Sequence, residues 1–267
     1  MIKTIVNGAA GKMGGRLITL MKEAGDFELV GAVERPGHPA VGRDAGEVAG
    51  IGRAGVAIAD DLGPIAAKGQ LAFDFTVAAG AMGNLRKAAP AGLAMVIGTT
   101  GLSAEDFEEA RTLATKAPIL MSFNMSVGVN IVFKLVAEAA RLLGSDYDVE
   151  IVETHHHFKE DAPSGTAVKL AQVIAAALGR NLDEVATYGR QGLVGQRPPK
   201  EIGLHSLRAA DVVGEHIVIF GGNSERIEIV HKAHSRDNFA RGALRAARWL
   251  VGQPPGLYDT ADSLGLR

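Results

Sequence analysis

The sequence predicts an α/β chain in two parts. One is a parallel-sheet domain formed by residues 1–126 and 238–267; the other, residues 127–237, is an α+β domain with a mixed or antiparallel sheet. Three observations lead there. The N-terminus runs strand, glycine turn, helix, strand, acid. Near-continuous apolar strands then alternate with helical stretches as far as Met125, which calls for a parallel sheet buried on both faces. Beyond residue 148 polar and apolar residues alternate, the mark of strands with one covered face.

Residues 2–6 form a short strand, followed by Asn7-Gly-Ala-Ala-Gly-Lys-Met-Gly-Gly15 and a helix carrying Leu17, Ile18, Leu20 and Met21. A second strand, 27–33, ends in Glu34-Arg35. This is the order of a Rossmann-type dinucleotide-binding unit. Gly8 permits a tight turn, Gly11 lets the backbone approach a pyrophosphate, and Gly14 lets the helix lie close to the sheet; Ala10 stands where the usual pattern has its second glycine. A glycine turn alone is weak evidence. Glu34 strengthens it, lying twenty residues past Gly14, where an acid meets the adenosine ribose. Its carboxylate can bond the 2′-hydroxyl of NAD, and Arg35 beside it can pair with the 2′-phosphate of NADP, so both NADH and NADPH are expected.

Residues 36–55, with many glycines, Pro36 and Pro39, read as a surface excursion. Alternation resumes with strand 56–59, a helical stretch at 62–67, strand 71–75, helix 79–89 and strand 93–97. A helix to about 116 then follows, capped by Ser103 with Asp106 three residues on, and then strand 118–121. Ligands of such sheets bind beyond the carboxyl ends of the strands. Three ends are decorated: Phe75-Thr76, Gly98-Thr99-Thr100 and Ser122-Phe123-Asn124-Met125, which we assign to the nicotinamide half of the cofactor. A helix from 126 to 143 crosses into the second domain, with Ile131, Leu135, Ala139 and Leu142 expected on its apolar face. A polar loop spans 179–200, three strands cover 204–209, 216–220 and 225–233, and an Ala-faced helix, 239–251, returns to the first domain. The tail from Gly252, with Pro254-Pro255, is expected on the surface. A sheet with an uncovered apolar face predicts an oligomer.

Composition narrows the functional classes. A formal net charge of −2 gives no general basic footprint for nucleic acid. No apolar run approaches the ~20 residues of a membrane span. The absence of cysteine excludes disulfides and thiolate metal sites and fits a reducing cytoplasm.

The most informative stretch is 150–168. A half-buried strand delivers His155, His156, His157 and Lys159 within five positions, and Pro163 precedes Ser164-Gly165-Thr166, which opens a helix through Leu170 and Ile174. A helix start offers backbone N–H groups and a positive dipole end to an anion. Adjacent histidines can be merely solvated, but the lysine, the Pro-Ser-Gly-Thr turn and the helix behind them favour a site for a small polyanion that must receive a proton. A metal is not expected. On an extended strand His155 and His157 share a face while His156 points away, and there is no HExxH.

Four segments together carry a resemblance: Gly8-Ala-Ala-Gly-Lys-Met-Gly14, Gly98-Thr-Thr-Gly101, Asn124-Met-Ser-Val-Gly-Val-Asn130 and Glu153-Thr-His-His-His-Phe-Lys-Glu-Asp-Ala-Pro-Ser-Gly-Thr166. In order and over nearly the whole chain, the sequence resembles the 4-hydroxy-tetrahydrodipicolinate reductase (dihydrodipicolinate reductase) family of bacterial lysine and diaminopimelate synthesis. The resemblance implies an NAD(P)H-dependent reduction of a cyclic imine dicarboxylate. It implies His155 as the proton donor or acceptor, Lys159 as the second catalytic residue, and His156, Gly165 and Thr166 as substrate contacts. Gly8, Ala9, Ala10, Gly11, Lys12, Met13, Glu34, Arg35, Gly98, Thr99, Thr100, Ser122, Phe123, Asn124 and Met125 would line the cofactor. A Rossmann domain joined to a mixed-sheet domain, assembled as a homotetramer, is the implied architecture. Met125 stands where the family pattern leads us to expect Phe, which keeps an apolar contact without aromatic stacking.

Overall fold

The computed structural model describes residues 1–266. Its elements in chain order are β1 Ile2–Asn7, α1 Lys12–Ala24, β2 Phe27–Val33, α2 Ala45–Val48, β3 Ile58–Ala59, β4 Leu71–Asp74, α3 Ala78–Ala88, β5 Ala94–Ile97, α4 Ala104–Leu113 and β6 Pro118–Met121. There follow α5 Val127–Leu143, β7 Asp148–His155, α6 Gly165–Ala177, α7 Leu182–Val185, β8 Ala186–Tyr188, β9 Ile202–Arg208, β10 Gly214–Gly221, β11 Arg226–Ala233, α8 Asp237–Leu250, β12 Gly256–Tyr258 and α9 Thr260–Leu264. They form two compact units, Met1–Val127 together with the segment from Asp237 onward, and Gly128–Arg236.

The first unit is a seven-stranded sheet, β12-β6-β5-β4-β1-β2-β3, parallel throughout. Side chains alternate across a strand, so neighbouring residues feed opposite cores. Val6, Phe73, Val96 and Leu120 pack on one face with Leu17, Leu20, Ala243 and Leu250. Ile5, Ala72, Met95 and Ile119 pack on the other with Met82, Leu85 and Ala110. Both faces are covered, which is why these strands read as unbroken apolar runs. The Ser103–Asp106 capping box forms as the sequence indicated.

The tail carries structure that was not read from the sequence: β12 adds to β6 in parallel register and α9 follows with its own capping box at Asp259. Three residues of strand behind two prolines carry no readable period, so the sequence could not show it. The stretch at 62–67 is a 3₁₀ helix, Gly63–Lys68.

The second unit is a five-stranded sheet, β11-β10-β7-β9-β8. β11–β10 and β10–β7 pair antiparallel, while β7–β9 and β9–β8 pair parallel. The polar loop expected at 179–200 contains α7 and the edge strand β8. Helices α5 and α6 cover one face, packing Val132, Phe133, Val136, Leu170 and Ile174 against Val149, Ile151, Leu204, Val218 and Phe220. The apolar face expected for α5 was the wrong one: Ile131, Leu135 and Leu142 are exposed. This helix is apolar around most of its circumference, so periodicity alone did not choose the buried side.

Candidate active site

In the first unit the glycine turn follows β1 at the carboxyl end of the sheet. Gly8 has φ +73°, a conformation glycine adopts without a Cβ penalty. Gly8 N and Ala9 N donate to Val33 O at 2.8 and 3.0 Å, tying the turn to the end of β2. A Cβ on Gly14 would lie 2.1 Å from Gly8 O, so α1 could not approach the turn with any other residue there. Lys12, exposed, and Met13, partly buried, open α1. The Glu34 carboxylate accepts from Ala10 N at 3.2 Å and from Arg35 N at 3.0 Å. A cavity of about 480 Å³ lies against this turn, lined by Gly8, Gly11, Glu34 and Arg35, by Thr76 just past β4 and by Asn84 of α3. That volume is in the range of small-molecule and cofactor sites. A closely approachable turn at a helix N-terminus with a carboxylate just past the end of β2 fits a nicotinamide dinucleotide.

The other predicted cofactor residues sit at neighbouring strand ends. Phe75 packs its ring against Gly98, where a Cβ would come within 2.1 Å of it. Thr99, buried, accepts from Thr76 N at 3.0 Å, and Thr100 is exposed. Ser122 Oγ donates to Asn124 O at 3.0 Å, and Asn124 Oδ1 accepts from Ser126 N at 2.9 Å. Phe123 is 48 % exposed. The Met125 side chain is buried in the first unit. It is 2 % exposed within the core, with Thr260 Oγ1 donating to its sulfur at 3.6 Å and Gly242 of α8 packed on its carbonyl. The missing aromatic ring at 125 is therefore a matter of core packing.

Sequence reasoning missed the group that ties these ends together. Asp74, fully buried, takes Nδ2 of Asn7 and of Asn84 on Oδ2 at 3.1 and 2.8 Å. Its Oδ1 takes Thr76 N at 3.1 Å, Thr76 Oγ1 at 2.7 Å and Thr99 Oγ1 at 3.2 Å. A lone Asp ending an apolar strand was the available signal.

In the second unit the covered face of β7 changes character along its length. Val149 and Ile151 are core, but Glu153 and His155 follow on the same side, beside His216 of β10 and Arg208 of β9. Glu153, 1 % exposed, bonds His155 Nδ1, accepts from Arg208 Nη1 and Nη2 at 3.0 Å each, and accepts from Ser164 N at 3.2 Å. The loop after β7 carries His156, whose Nε2 lies 3.4 Å from Arg236 Nη2, and Lys159, whose ammonium donates to Asp161 at 2.6 Å. Ser164 caps α6 through Ala167 N at 3.2 Å and meets His216 Nε2 at 3.1 Å. Gly165 and Thr166 form the first turn of α6, and nothing stands within 4 Å of a Cβ built on Gly165. The structure thus gathers His155, His156, Lys159, Gly165 and Thr166 at one end of this unit. Arg208 and His216, far off in sequence, were not foreseen. Among the described residues no group of His, Cys, Asp and Glu is arranged to hold a metal, and no helix is long and apolar enough to cross a membrane.

Burial holds the His216 imidazole down at about 3, with His155 adding to the effect. For Glu153 burial pushes upward but is overcome by the His155, Arg208 and Ser206 donors, leaving the carboxyl at about 2. Both groups bind fewer protons folded than unfolded, so both lose stability on acidification. The His216 contribution is whole above about 6.5 and falls away toward 3; that of Glu153 is whole above about 4.5 and falls away toward 2. Thermal melts should therefore show Tm declining as soon as pH drops below 6.5, and His216→Gln should flatten the decline between 6.5 and 4.5. An equal slope in that variant would contradict the assignment.

Comparison with known proteins follows the same two-part division. The model of the dihydrodipicolinate reductase N-terminus matches residues 2–125 and that of the C-terminus residues 128–264. A 4-hydroxy-tetrahydrodipicolinate reductase of Syntrophus aciditrophicus is 54 % identical over 267 residues, covering 100 % of both chains. One of Citrifermentans bemidjiense is 52 % identical over the same length, again covering 100 % of both. Among solved structures, a dipicolinate-bound dihydrodipicolinate reductase from Paenisporosarcina sp. TG-14 superposes with a TM-score of 0.75 at 23 % identity over 99 % of each chain. An amine dehydrogenase from Mycobacterium smegmatis gives 0.61 at 15 % identity, over 98 % of this chain and 95 % of that one. At those identities the two structures speak for the fold.

Proposed function

This chain belongs to the dihydrodipicolinate reductase family, and from that premise we propose that it reduces 4-hydroxy-tetrahydrodipicolinate to tetrahydrodipicolinate with NADH or NADPH, in lysine and diaminopimelate synthesis. The observation that carries the reading is the gathering of His155, His156 and Lys159 beside the first turn of α6, a proton donor and a cation next to an anion cradle.

The substrate is a cyclic imine with two carboxylates. The amides of Gly165 and Thr166 and the Lys159 ammonium hold one carboxylate by charge-assisted bonds. His156 touches the ring, and Arg236 beside it offers a further cation to an anion. Residues 8–13 hold the pyrophosphate of the cofactor, Glu34 bonds its ribose 2′-hydroxyl, and Arg35 pairs with a 2′-phosphate when present. Residues 98–100 and 122–124, with the backbone of Met125, border the nicotinamide half. Loss of the 4-hydroxyl as water leaves a conjugated C=C–C=N system, to which the reduced nicotinamide would supply hydride when bound. His155 then gives a proton to the resulting enamine carbon, and Lys159 keeps the carboxylate in position as charge redistributes.

The same reading makes the chain a homotetramer of the cytoplasm. Leu207 and Val230, 52 % and 46 % exposed, lie on the sheet face turned away from α5 and α6 and supply apolar surface for other copies.

Steady-state reduction of freshly generated 4-hydroxy-tetrahydrodipicolinate, with NADH and NADPH in parallel, tests the proposal. Imine-dependent oxidation of both cofactors is expected. Tight cofactor binding with no turnover would make this a nucleotide-binding protein instead.

A further inference from the structure

We propose that Glu153 is a positioning residue that fixes the His155 ring with the Nδ1 hydrogen turned inward, so that Nε2 is the nitrogen that transfers the proton; this rests on the reading of His155 as the proton donor. Glu153 and His155 are two apart on β7 and share its covered face. The carboxylate bonds Nδ1 directly. An ionised carboxylate only accepts, so Nδ1 keeps its hydrogen in both the neutral and the cationic ring. Arg208, clamped on both oxygens, holds Glu153 in that ionised form and in one orientation.

The rest of the surroundings agree. From β10, His216 meets the ring edge-on at 5.3 Å between centroids, and buried as it is, it stays uncharged. Also from β10, Gly214 lies beside the other ring nitrogen: a Cβ there would come within 3.0 Å of Nε2. The charged and titratable groups that face His155 are thus Glu153 from its own strand, Arg208 from β9, His216 from β10, and His156 and Lys159 from the following loop. Of these, Glu153 is the anion in contact with the ring. It gives the ring its direction. On transfer the Nε2–H bond breaks and a C–H bond forms at the enamine carbon. The ring is left neutral, its Nδ1–H still donating to Glu153, and a proton taken up from solvent restores Nε2–H.

The test is kcat and KM in wild type, Glu153→Gln and the double variant Glu153→Gln/Arg208→Met. Loss of the carboxylate that orients the ring should cut kcat at neutral pH about tenfold, with KM for the imine diacid changing less. Glu153→Gln leaves the half-buried Arg208 without its carboxylate partner and can unfold the unit; the double variant removes both charges and relieves this. The loss of kcat should persist in the double variant. A double variant with wild-type kcat would reduce Glu153 to a structural partner of Arg208 and overturn the inference. His155→Gln separates the two levels: if that change leaves kcat intact, the reading of His155 itself fails.

Discussion

Replacing His155 by glutamine should lower kcat by about 10²–10⁴-fold, the usual worth of a positioned general acid, while the dissociation constant for NADPH stays at its wild-type value. The expectation follows from the division of labour along the chain. The glycine turn and the cavity against it belong to the first compact unit, and His155 belongs to the second. Glutamine keeps roughly the size of the side chain and can still meet Glu153, so packing changes little, but it cannot give up a proton at neutral pH. Stopped-flow reduction and a fluorescence titration of NADPH would measure the two quantities separately. A kcat within a factor of about two of wild type would remove His155 from the proton-transfer step.

Asp74→Asn should carry the largest stability cost, about 3 kcal/mol or more, and weaken NADPH binding about tenfold. The carboxylate accepts from Asn7, Asn84, Thr76 and Thr99, which lie at the ends of β1, β4 and β5 and on α3. An amide in its place presents one N–H₂ face to donors, leaving buried groups unpaired at about 1–3 kcal/mol each. Thr76 and Asn84 also line the cavity, so the loss reaches the cofactor as well as the fold. Urea melts and the same fluorescence titration would read both effects. Unchanged values in both would mean that the strand ends are held by packing alone.

Where the sequence spoke clearly, a short-range physical rule was at work. The turn at 8–14 was legible because the glycines that permit it sit in the turn itself, and the start of α6 because Ser164 caps it from the adjacent position. The candidate site at 155–159 was legible because His155, His156 and Lys159 are neighbours in the chain. What escaped depends on groups far apart in sequence. Arg208 reaches Glu153 across 55 positions, His216 reaches Ser164 across 52, and Asn7 reaches Asp74 across 67. No local pattern encodes such pairings. The buried side of α5 escaped for a different reason, since both of its sides are apolar and the choice is made by what the sheet presents to it. The burial of Met125 escaped because its neighbours in space, Gly242 and Thr260, come from helices at the other end of the chain.

The solvent deuterium isotope effect on kcat, compared between wild type and His155→Gln, tests most directly whether this chain delivers a proton to a reduced imine diacid through that imidazole. Proton transfer should become limiting once the imidazole is gone, so the account predicts a modest effect in wild type and a clearly larger one in the variant. The same effect in both proteins, at the same kcat, would contradict it.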